Sequence, residues 1–174
     1  MKKYLRMALL GAALVTPFAA QAEDVYVKLA VGQSAYDSID IGTTHQTGYL
    51  LGLGLAIDKT WDVEIGYADL GKGTKTIGSE SISFKDKVFY AAGIGKYAVT
   101  DAFTLFGKLG IGLMRTSDNF TAGGESTIQK DSSTKAVFGV GASYNFTKEI
   151  AGVIDYTAYT LDARFLSVGV RYGF

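Results

Sequence analysis

Five charged residues are spaced so that they could share one polar interior: Lys28, Glu64, Lys108, Asp155 and Arg171. Each stands among apolar residues that recur at every second position, and a β-strand sends alternate side chains to opposite faces. All five fall on the face that is crowded with Gly, Ala and Ser. Gathered there, the acids and bases could pair. Such a set could gate a narrow conduction path, or it could form a packed polar core that keeps the interior closed.

Acyl-transfer catalysis is a second chemistry to weigh, because it uses a histidine beside a serine or an acid. His45 is the single histidine, and it ends a polar stretch from Ser34 to Gln46. Ser79, Ser81 or Ser83 could approach it from a second polar stretch. Polar residues of this kind are also what loops are made of. The sequence therefore predicts no catalytic residue.

Metal and cofactor chemistry finds no support in the residue pattern. The chain has no cysteine, so it can form neither a disulfide framework nor a lipoprotein anchor. Neighbouring acids, such as Glu23 with Asp24 or Asp37 with Asp40, are too few for a calcium site. We expect no metal ion and no cofactor.

The elements that would position these residues are eight β-strands. Period-two alternation recurs in stretches at about 24–33, 47–57, 61–68, 87–99, 103–113, 136–146, 150–157 and 164–174. The register of strand four stays open, because its glycines do not distinguish the two faces. Short breaks at 58–60, 100–101 and 147–148 alternate with longer polar breaks at 34–46, 71–85 and 116–133, and a short connection lies near 161–163. An even number of strands with short turns at one end predicts an eight-stranded antiparallel transmembrane up-and-down β-barrel.

The last strand shows the pattern most clearly. One face carries Leu166, Val168, Val170, Tyr172 and Phe174, and the other is assigned the small or charged residues Arg164, Ser167, Gly169, Arg171 and Gly173. Its length suits a tilted strand that crosses a bilayer core in roughly 9–11 residues.

A soluble eight-stranded ligand carrier is the alternative, and it would turn its apolar face inward. Eight strands enclose little space, so the face of small residues should be inside. A Lys or Arg on a lipid face costs roughly 2–4 kcal/mol near the midplane. Aromatic residues at the ends of the strands are predicted to form the interfacial girdles, namely Trp61, Phe103, Phe146 and Phe174 at one end and Tyr49, Tyr67 and Tyr156 at the other.

The first 22 residues have the features of a secretory signal peptide. Lys2, Lys3 and Arg6 precede an apolar run from Met7 to Phe18, and Ala20-Gln21-Ala22 is a small-x-small cleavage site. We expect residues 1–22 to be removed on export to the periplasm and residues 23–174 to form the barrel. The whole chain has 17 basic and 17 acidic residues, so the mature chain would be slightly acidic, which is not typical of a nucleic-acid binder.

The sequence resembles the small outer-membrane β-barrel family of OmpA-like and Opa-like eight-stranded proteins. The resemblance rests on three internal segments, 61–69, 97–101 and 105–110, and on a C-terminal signature that consists of Ser167, Gly169, Tyr172 and Phe174. In that family the signature is read by the outer-membrane assembly machinery. The resemblance also implies an interior salt-bridge network, to whose positions Glu64 and Lys108 correspond.

These observations predict a monomeric barrel of the cell outer membrane, surrounded by lipid and lipopolysaccharide. We expect a structural or adhesin-like surface-interaction role, in which the polar breaks at 34–46, 71–85 and 116–133 form extracellular loops that could bind a ligand. A porin-like channel of low conductance for ions or small solutes is the alternative. A lipid A-modifying enzyme is a remote one, and it would require His45 to act on lipid.

Overall fold

The computed structural model describes residues 25–38, 42–77, 80–122, 125–159 and 163–174. The predicted signal peptide lies outside the described residues. Eight strands follow in chain order: β1 (Val25–Ser38), β2 (Gly42–Ala56), β3 (Trp61–Ile77), β4 (Glu80–Ala98), β5 (Phe103–Ala122), β6 (Glu125–Asn145), β7 (Ile150–Ala158) and β8 (Ala163–Gly173). Each pairs antiparallel with its neighbours and β8 pairs with β1, so the sheet closes into a barrel. Within the described ranges, no helix is long and apolar enough to cross a membrane.

The two faces of the strands differ as the alternation predicts. On β3, Val63 and Ile65 point outward and are 43% and 59% exposed, whereas Glu64 between them is 2% exposed. The same alternation runs through β8, where Leu166, Val168 and Val170 are exposed. Large apolar side chains therefore cover the outside of the barrel, and the charged and polar side chains point into the lumen, where they share the space with small and apolar residues. The predicted fold class is confirmed.

The three tight turns lie at one end of the barrel and are stabilised by their own polar residues. Asp58 accepts hydrogen bonds from the backbone N–H groups of Thr60 and Trp61 at 2.6 and 2.7 Å. Thr100 and Thr147 accept bonds from the N–H groups three residues later. Asx and Ser/Thr turns of this kind reverse the chain in a few residues. In outer-membrane barrels such short turns face the periplasm.

At the opposite end of the barrel, several strands extend further than predicted. β3 to β6 contain 17, 19, 20 and 21 residues, against 9 and 11 in β7 and β8. Most of the predicted loops at 71–85 and 116–133 are therefore β-ladder, and β1 and β2 also extend into the stretch from Ser34 to Gln46. The prediction of loops was wrong there because a strand in water on both faces shows no apolar alternation.

Two assignments of faces change as well. In β4, the ladder places Val88, Tyr90 and Ile94 in the lumen, which settles the open register. Arg164 was assigned to the polar face of β8, but it is two residues from Leu166 and shares its outward parity. The buried residue at that end is Phe165, which is 1% exposed.

Candidate functional site in the lumen and at the outer rim

Four of the five predicted charges meet in the lumen, one from every second strand. Lys28 lies on β1, Glu64 on β3, Lys108 on β5 and Asp155 on β7, and all are at most 4% exposed. We call these residues the charge quartet. The Nζ of Lys28 is 3.0 Å from Glu64 Oε1 and 3.1 Å from Asp155 Oδ2. The Nζ of Lys108 is 3.2 and 2.8 Å from the same two atoms. Each cation thus bridges both carboxylates, and the four charges cancel.

All four carboxylate oxygens of the quartet receive a hydrogen bond or an ion pair. Glu64 Oε1 also accepts from the hydroxyl of Tyr90 at 2.7 Å, and Glu64 Oε2 accepts from Tyr26 at 3.2 Å. Asp155 Oδ1 accepts from Thr157 Oγ1 at 2.7 Å. A buried charge is tolerated when it is paired and its lone pairs are satisfied. The quartet meets both conditions, so it can cross-link four strands through the lumen.

Glycines on the intervening strands leave room for the quartet. A Cβ built on Gly52 of β2 would lie 3.3 Å from the Glu64 carboxyl carbon and 3.5 Å from Lys28 Cβ. A Cβ on Gly139 of β6 would lie 3.3 Å from Lys108 Cβ. These distances are at or below ordinary van der Waals contact, so side chains here would crowd the ion pairs. The small residues and the charges of the lumen face are therefore parts of one packing arrangement.

Arg171 lies apart from the quartet, towards the periplasmic end. It pairs in register with Lys28 across the seam between β1 and β8, and like charges that face each other repel. The two side chains turn to different partners. The guanidinium of Arg171 lies 3.9 Å from Asp62 and stacks over the ring of Tyr26 at 5.1 Å. Lys96 also forms an ion pair with Asp62.

An apolar layer lies on the extracellular side of the quartet. Its largest members are at most 1% exposed and come from five strands and from the residue that follows β7: Leu50, Leu70, Val88, Val137, Phe165 and Tyr159. The ring of Tyr90 contacts both layers, because its hydroxyl donates to Glu64 and its ring lies 6.1 Å from that of Tyr159. Buried apolar side chains at this density leave little path for water.

The remaining space in the lumen is on the periplasmic side. A cavity of about 20 Å³ lies below the quartet between Tyr26, Phe106 and Arg171. It adjoins a mouth of about 150 Å³ that Asp62, Lys96 and Lys148 help to line. Arg171 is partly exposed at this mouth, whereas Asp62 and the quartet are at most 4% exposed.

The C-terminal signature residues divide between the two faces of β8. Ser167 is buried and Gly169 lies against β1, where a Cβ would be 2.1 Å from the carbonyl oxygen of Leu29. Tyr172 and Phe174 are exposed on the lipid face, with ring centroids 5.1 Å apart and nearly perpendicular planes. The N–H of Phe174 donates to the carbonyl of Val25 at 3.0 Å, so the last residue helps to close the barrel.

The predicted girdle residues lie at the two ends of the outer face. Trp61, Phe146, Tyr49 and Tyr156 are between 41% and 66% exposed, and Phe103 and Tyr67 are partly exposed. Tyr67 packs between two aromatic neighbours, Tyr49 at 6.1 Å and Phe89 at 4.8 Å.

Sequence reasoning missed the residues that complete the two polar clusters: Tyr26, Asp62, Tyr90, Lys96 and Thr157. Tyr26, Asp62 and Thr157 each lie two residues from one of the predicted lumen charges. The alternation of side chains along a strand would therefore have indicated that they point into the lumen. Tyr90 and Lys96 could not be assigned, because the face of strand four was open.

The residues considered for catalysis do not assemble into a site among the described side chains. His45 lies on β2 with an exposed side chain, and its register partner on β1 is Ala35. Ser79 lies outside the described residues, and so does the side chain of Ser81. No group of three or more His, Cys, Asp or Glu residues in the described part of the chain could hold a metal ion.

A closed antiparallel barrel with short turns at one end and an apolar outer belt defines an integral membrane protein of the outer-membrane type. The family model "Outer membrane protein beta-barrel domain" matches residues 6–174, and the chain belongs to this family. It is therefore a protein of the bacterial outer membrane. No curated protein matches the chain.

Solved structures show the same fold at low sequence identity. Neisserial surface protein A is 19% identical, with a TM-score of 0.68 over 86% of this chain and 97% of that one. Ail, the attachment invasion locus protein of Yersinia pestis, solved with the heparin analogue sucrose octasulfate, is 18% identical, with a TM-score of 0.65 over 87% and 98%. OprG from Pseudomonas aeruginosa is 14% identical, with a TM-score of 0.65 over 88% and 96%.

Proposed function

We propose that this protein is a non-enzymatic attachment protein of the cell surface, which uses the extracellular extension of β3–β6 to bind an extracellular protein. The observation that carries the proposal is the length of these four strands. A transmembrane strand needs roughly 9–11 residues, and β3–β6 have 17 to 21. The excess forms a four-stranded sheet beyond the membrane.

An edge of this sheet suits a protein partner. β6 is paired with β7 only as far as Phe138, whereas its ladder with β5 continues to Glu125. In the described pairings, residues 125–137 of β6 therefore have a ladder partner on one side only. An unpaired edge offers a row of backbone donors and acceptors to an extended segment of another chain. The likeness in fold to Ail, the attachment invasion locus protein, agrees with a surface role.

The lumen supports this role over transport. The charge quartet and the apolar layer fill the barrel from Lys28 to Phe165 with buried side chains. A channel needs a wetted path, and eight strands enclose an interior that side chains can just fill. We further propose that residues 1–22 direct export to the periplasm and that the C-terminal signature on β8 is read during assembly.

The test is a truncation that keeps the register of the barrel. Deleting residues 73–77, 80–84, 117–122 and 125–130 removes paired positions from both tall hairpins and retains residues 78–79 and 123–124. The matched control deletes residues 35–38 and 42–45 from the hairpin of β1 and β2. Bacteria that display each variant are added to cultured epithelial cells, and those that remain attached after washing are counted. Folding is checked by the change of gel mobility on heating.

We expect the tall-hairpin truncation to abolish attachment and the control truncation to preserve it. Equal attachment of both folded variants would overturn the proposal. The channel alternative is tested separately in planar bilayers. Reproducible openings that change in Glu64→Ala would favour transport, and a folded but silent barrel would favour the surface role.

A further inference from the structure

Cations cluster on the outward face of β3–β5, just beyond the apolar belt. Lys72 of β3 and Lys85 of β4 are register partners, and so are Lys87 of β4 and Arg115 of β5. We call these four residues the cationic patch. Like charges directly opposite each other on a sheet are destabilising. Two such pairs side by side therefore favour a nearby anion, and Asp69, the register partner of Lys87 on β3, is one such group.

The described side chains supply only one carboxylate to the cationic patch. Asp69 lies 3.0 Å from Lys85, and this hydrogen bond raises the pKa of the Lys85 ammonium, so Lys85 stays charged. Lys72, Lys87 and Arg115 have no acid within salt-bridge distance among the ion pairs of the described residues. Arg115 instead stacks over the ring of Phe89, 6.0 Å from its centroid. Among the ion pairs of the described residues, the four cations of the patch therefore have one carboxylate, Asp69.

An apolar groove lies below the cationic patch on the same strands. Ala91 and Gly93 of β4 form its floor, Ile65 of β3 forms one wall, and Leu109 and Ile111 of β5 form the other. Its volume is about 350 Å³. A Cβ on Gly93 would have as its nearest atom the carbonyl oxygen of Leu109, at 3.9 Å, so the floor is open.

The spacing of patch and groove matches one lipid leaflet. Gly93 follows Lys87 by six residues, which is about 20 Å along a strand and about 15 Å along the membrane normal at the usual tilt. The hydrocarbon core is about 30 Å thick, so the groove lies within its outer half. A lipid headgroup at the patch would therefore place an acyl chain in the groove.

The opposite side of the barrel lacks the cluster of cations in its described part, and its strand β8 also lacks the groove. The outward positions there, at the upper edge of the apolar belt, are Gln33, Thr47, Ala158 and Arg164, with a single cation. The outward residues of β8 below Arg164 are Leu166, Val168, Val170 and Tyr172, with no small residue to form a groove. Cations that served only to contact the membrane interface in general would be distributed around the whole barrel. Their restriction to β3–β5 therefore indicates a local binding site.

We propose that the outer face of β3–β5 binds one phosphorylated glycolipid of the outer leaflet, with its phosphates on the cationic patch and one acyl chain in the groove. Arginine binds phosphate with two parallel hydrogen bonds, and lysine contributes a compact charge. The bound phosphates offset the repulsion within the two like-charged pairs. This site is independent of the sheet edge of β6 and of any attachment activity.

The experiment titrates the refolded protein in detergent with bisphosphorylated, hexa-acylated lipid A and counts bound lipid by native mass spectrometry. The variant Lys87→Glu/Arg115→Glu removes one pair of the patch, and Gly93→Leu fills the groove. Arg164→Glu is the matched charge control on the far side. Gly107→Leu is the matched control for the groove, because nothing lies within 4 Å of a Cβ there. Gel mobility on heating confirms that each variant is folded.

We expect one lipid A per wild-type barrel, with an affinity lowered roughly tenfold or more in Lys87→Glu/Arg115→Glu and several-fold in Gly93→Leu. The two controls should bind like wild type. Dephosphorylated lipid A and phosphatidylglycerol should bind weakly, since the first lacks the phosphates and the second has one phosphate and two chains. Equal binding of all variants, or of dephosphorylated lipid A, would overturn the proposal. So would a dimer that Gly93→Leu disrupts, because the groove would then hold a second copy.

Discussion

The lumen face and the lipid face of the same strands have opposite chemical requirements, although the residues that meet them are adjacent in the chain. On β3, Glu64 accepts four donors in the lumen, while Val63 and Ile65 on either side make no polar contact and are exposed to lipid. The lumen is closed to water at the quartet, so every polar atom there needs a protein partner. The lipid face needs only apolar surface of sufficient length.

This difference predicts what each face tolerates. The lumen should be sensitive to the loss of a charge and to the gain of a single methyl group, because its side chains are interlocked. The lipid face should accept changes of shape and reject charge. Each of the following tests pairs a substitution on one face with a control. The effect on stability is measured as the free energy of unfolding in urea after refolding.

The largest effect is expected for Glu64→Gln in the charge quartet. The change keeps the shape of the side chain but leaves Lys28 and Lys108 with one carboxylate between them. Breaking a buried pair by removing one partner typically costs about 3–5 kcal/mol. The control Glu149→Gln changes an exposed carboxylate in a periplasmic turn and should alter stability by less than about 0.5 kcal/mol. A similar small loss for both would mean that the quartet is hydrated.

The next effect is expected for Val168→Lys, which introduces a charge on the lipid face. Val168 lies near the middle of β8 and is 61% exposed. A lysine near the bilayer midplane costs roughly 2–4 kcal/mol. The control Val168→Leu should cost little, since it changes only shape. Unfolding is measured in lipid vesicles, and a neutral Val168→Lys there would contradict the assignment of this face to lipid.

A smaller effect is expected when glycines on the two faces gain a methyl group. In Gly110→Ala the new Cβ would meet the carbonyl oxygen of Ala91 at 2.2 Å in the lumen wall, so strands must shift. Overpacking of this kind typically costs about 1–3 kcal/mol. Gly107→Ala, on the lipid face of the same strand, meets nothing within 4 Å and should be neutral or slightly stabilising. Equal losses would show that backbone conformation, not space, decides.

The smallest effect on stability is expected for Phe174→Ala. It removes the edge-to-face contact with Tyr172, which is worth about 0.5–1.5 kcal/mol. The control Phe146→Ala removes a similar contact, with Tyr144 at 5.4 Å, at the same end of the barrel. If the C-terminal signature directs assembly, Phe174→Ala should lower the amount of barrel in the outer membranes of cells, and Phe146→Ala should not. Equal amounts of the Phe174→Ala and Phe146→Ala barrels in the outer membranes of cells would contradict a role of the C-terminal signature in assembly.

Much of the fold could be predicted because the membrane imposes a period of two on each strand. The eight strands, the short turns and the lumen placement of Lys28, Glu64, Lys108 and Asp155 all follow from that period. The height of β3–β6 could not be predicted in the same way. Beyond the membrane both faces of a strand meet water, so polar hairpins and polar loops have the same composition.

The sequence by itself determined the barrel, its orientation towards lipid and the inventory of lumen charges, since alternation and residue size are local properties. Only the tertiary structure decided which charges pair. Arg171 has the parity of the quartet and is the register partner of Lys28, yet its side chain turns to Asp62 and Tyr26. The meeting of Lys87 with Arg115 likewise depends on the register between β4 and β5. Register joins residues that are distant in the chain, and the hydrogen-bonded ladder around the whole closed barrel fixes it.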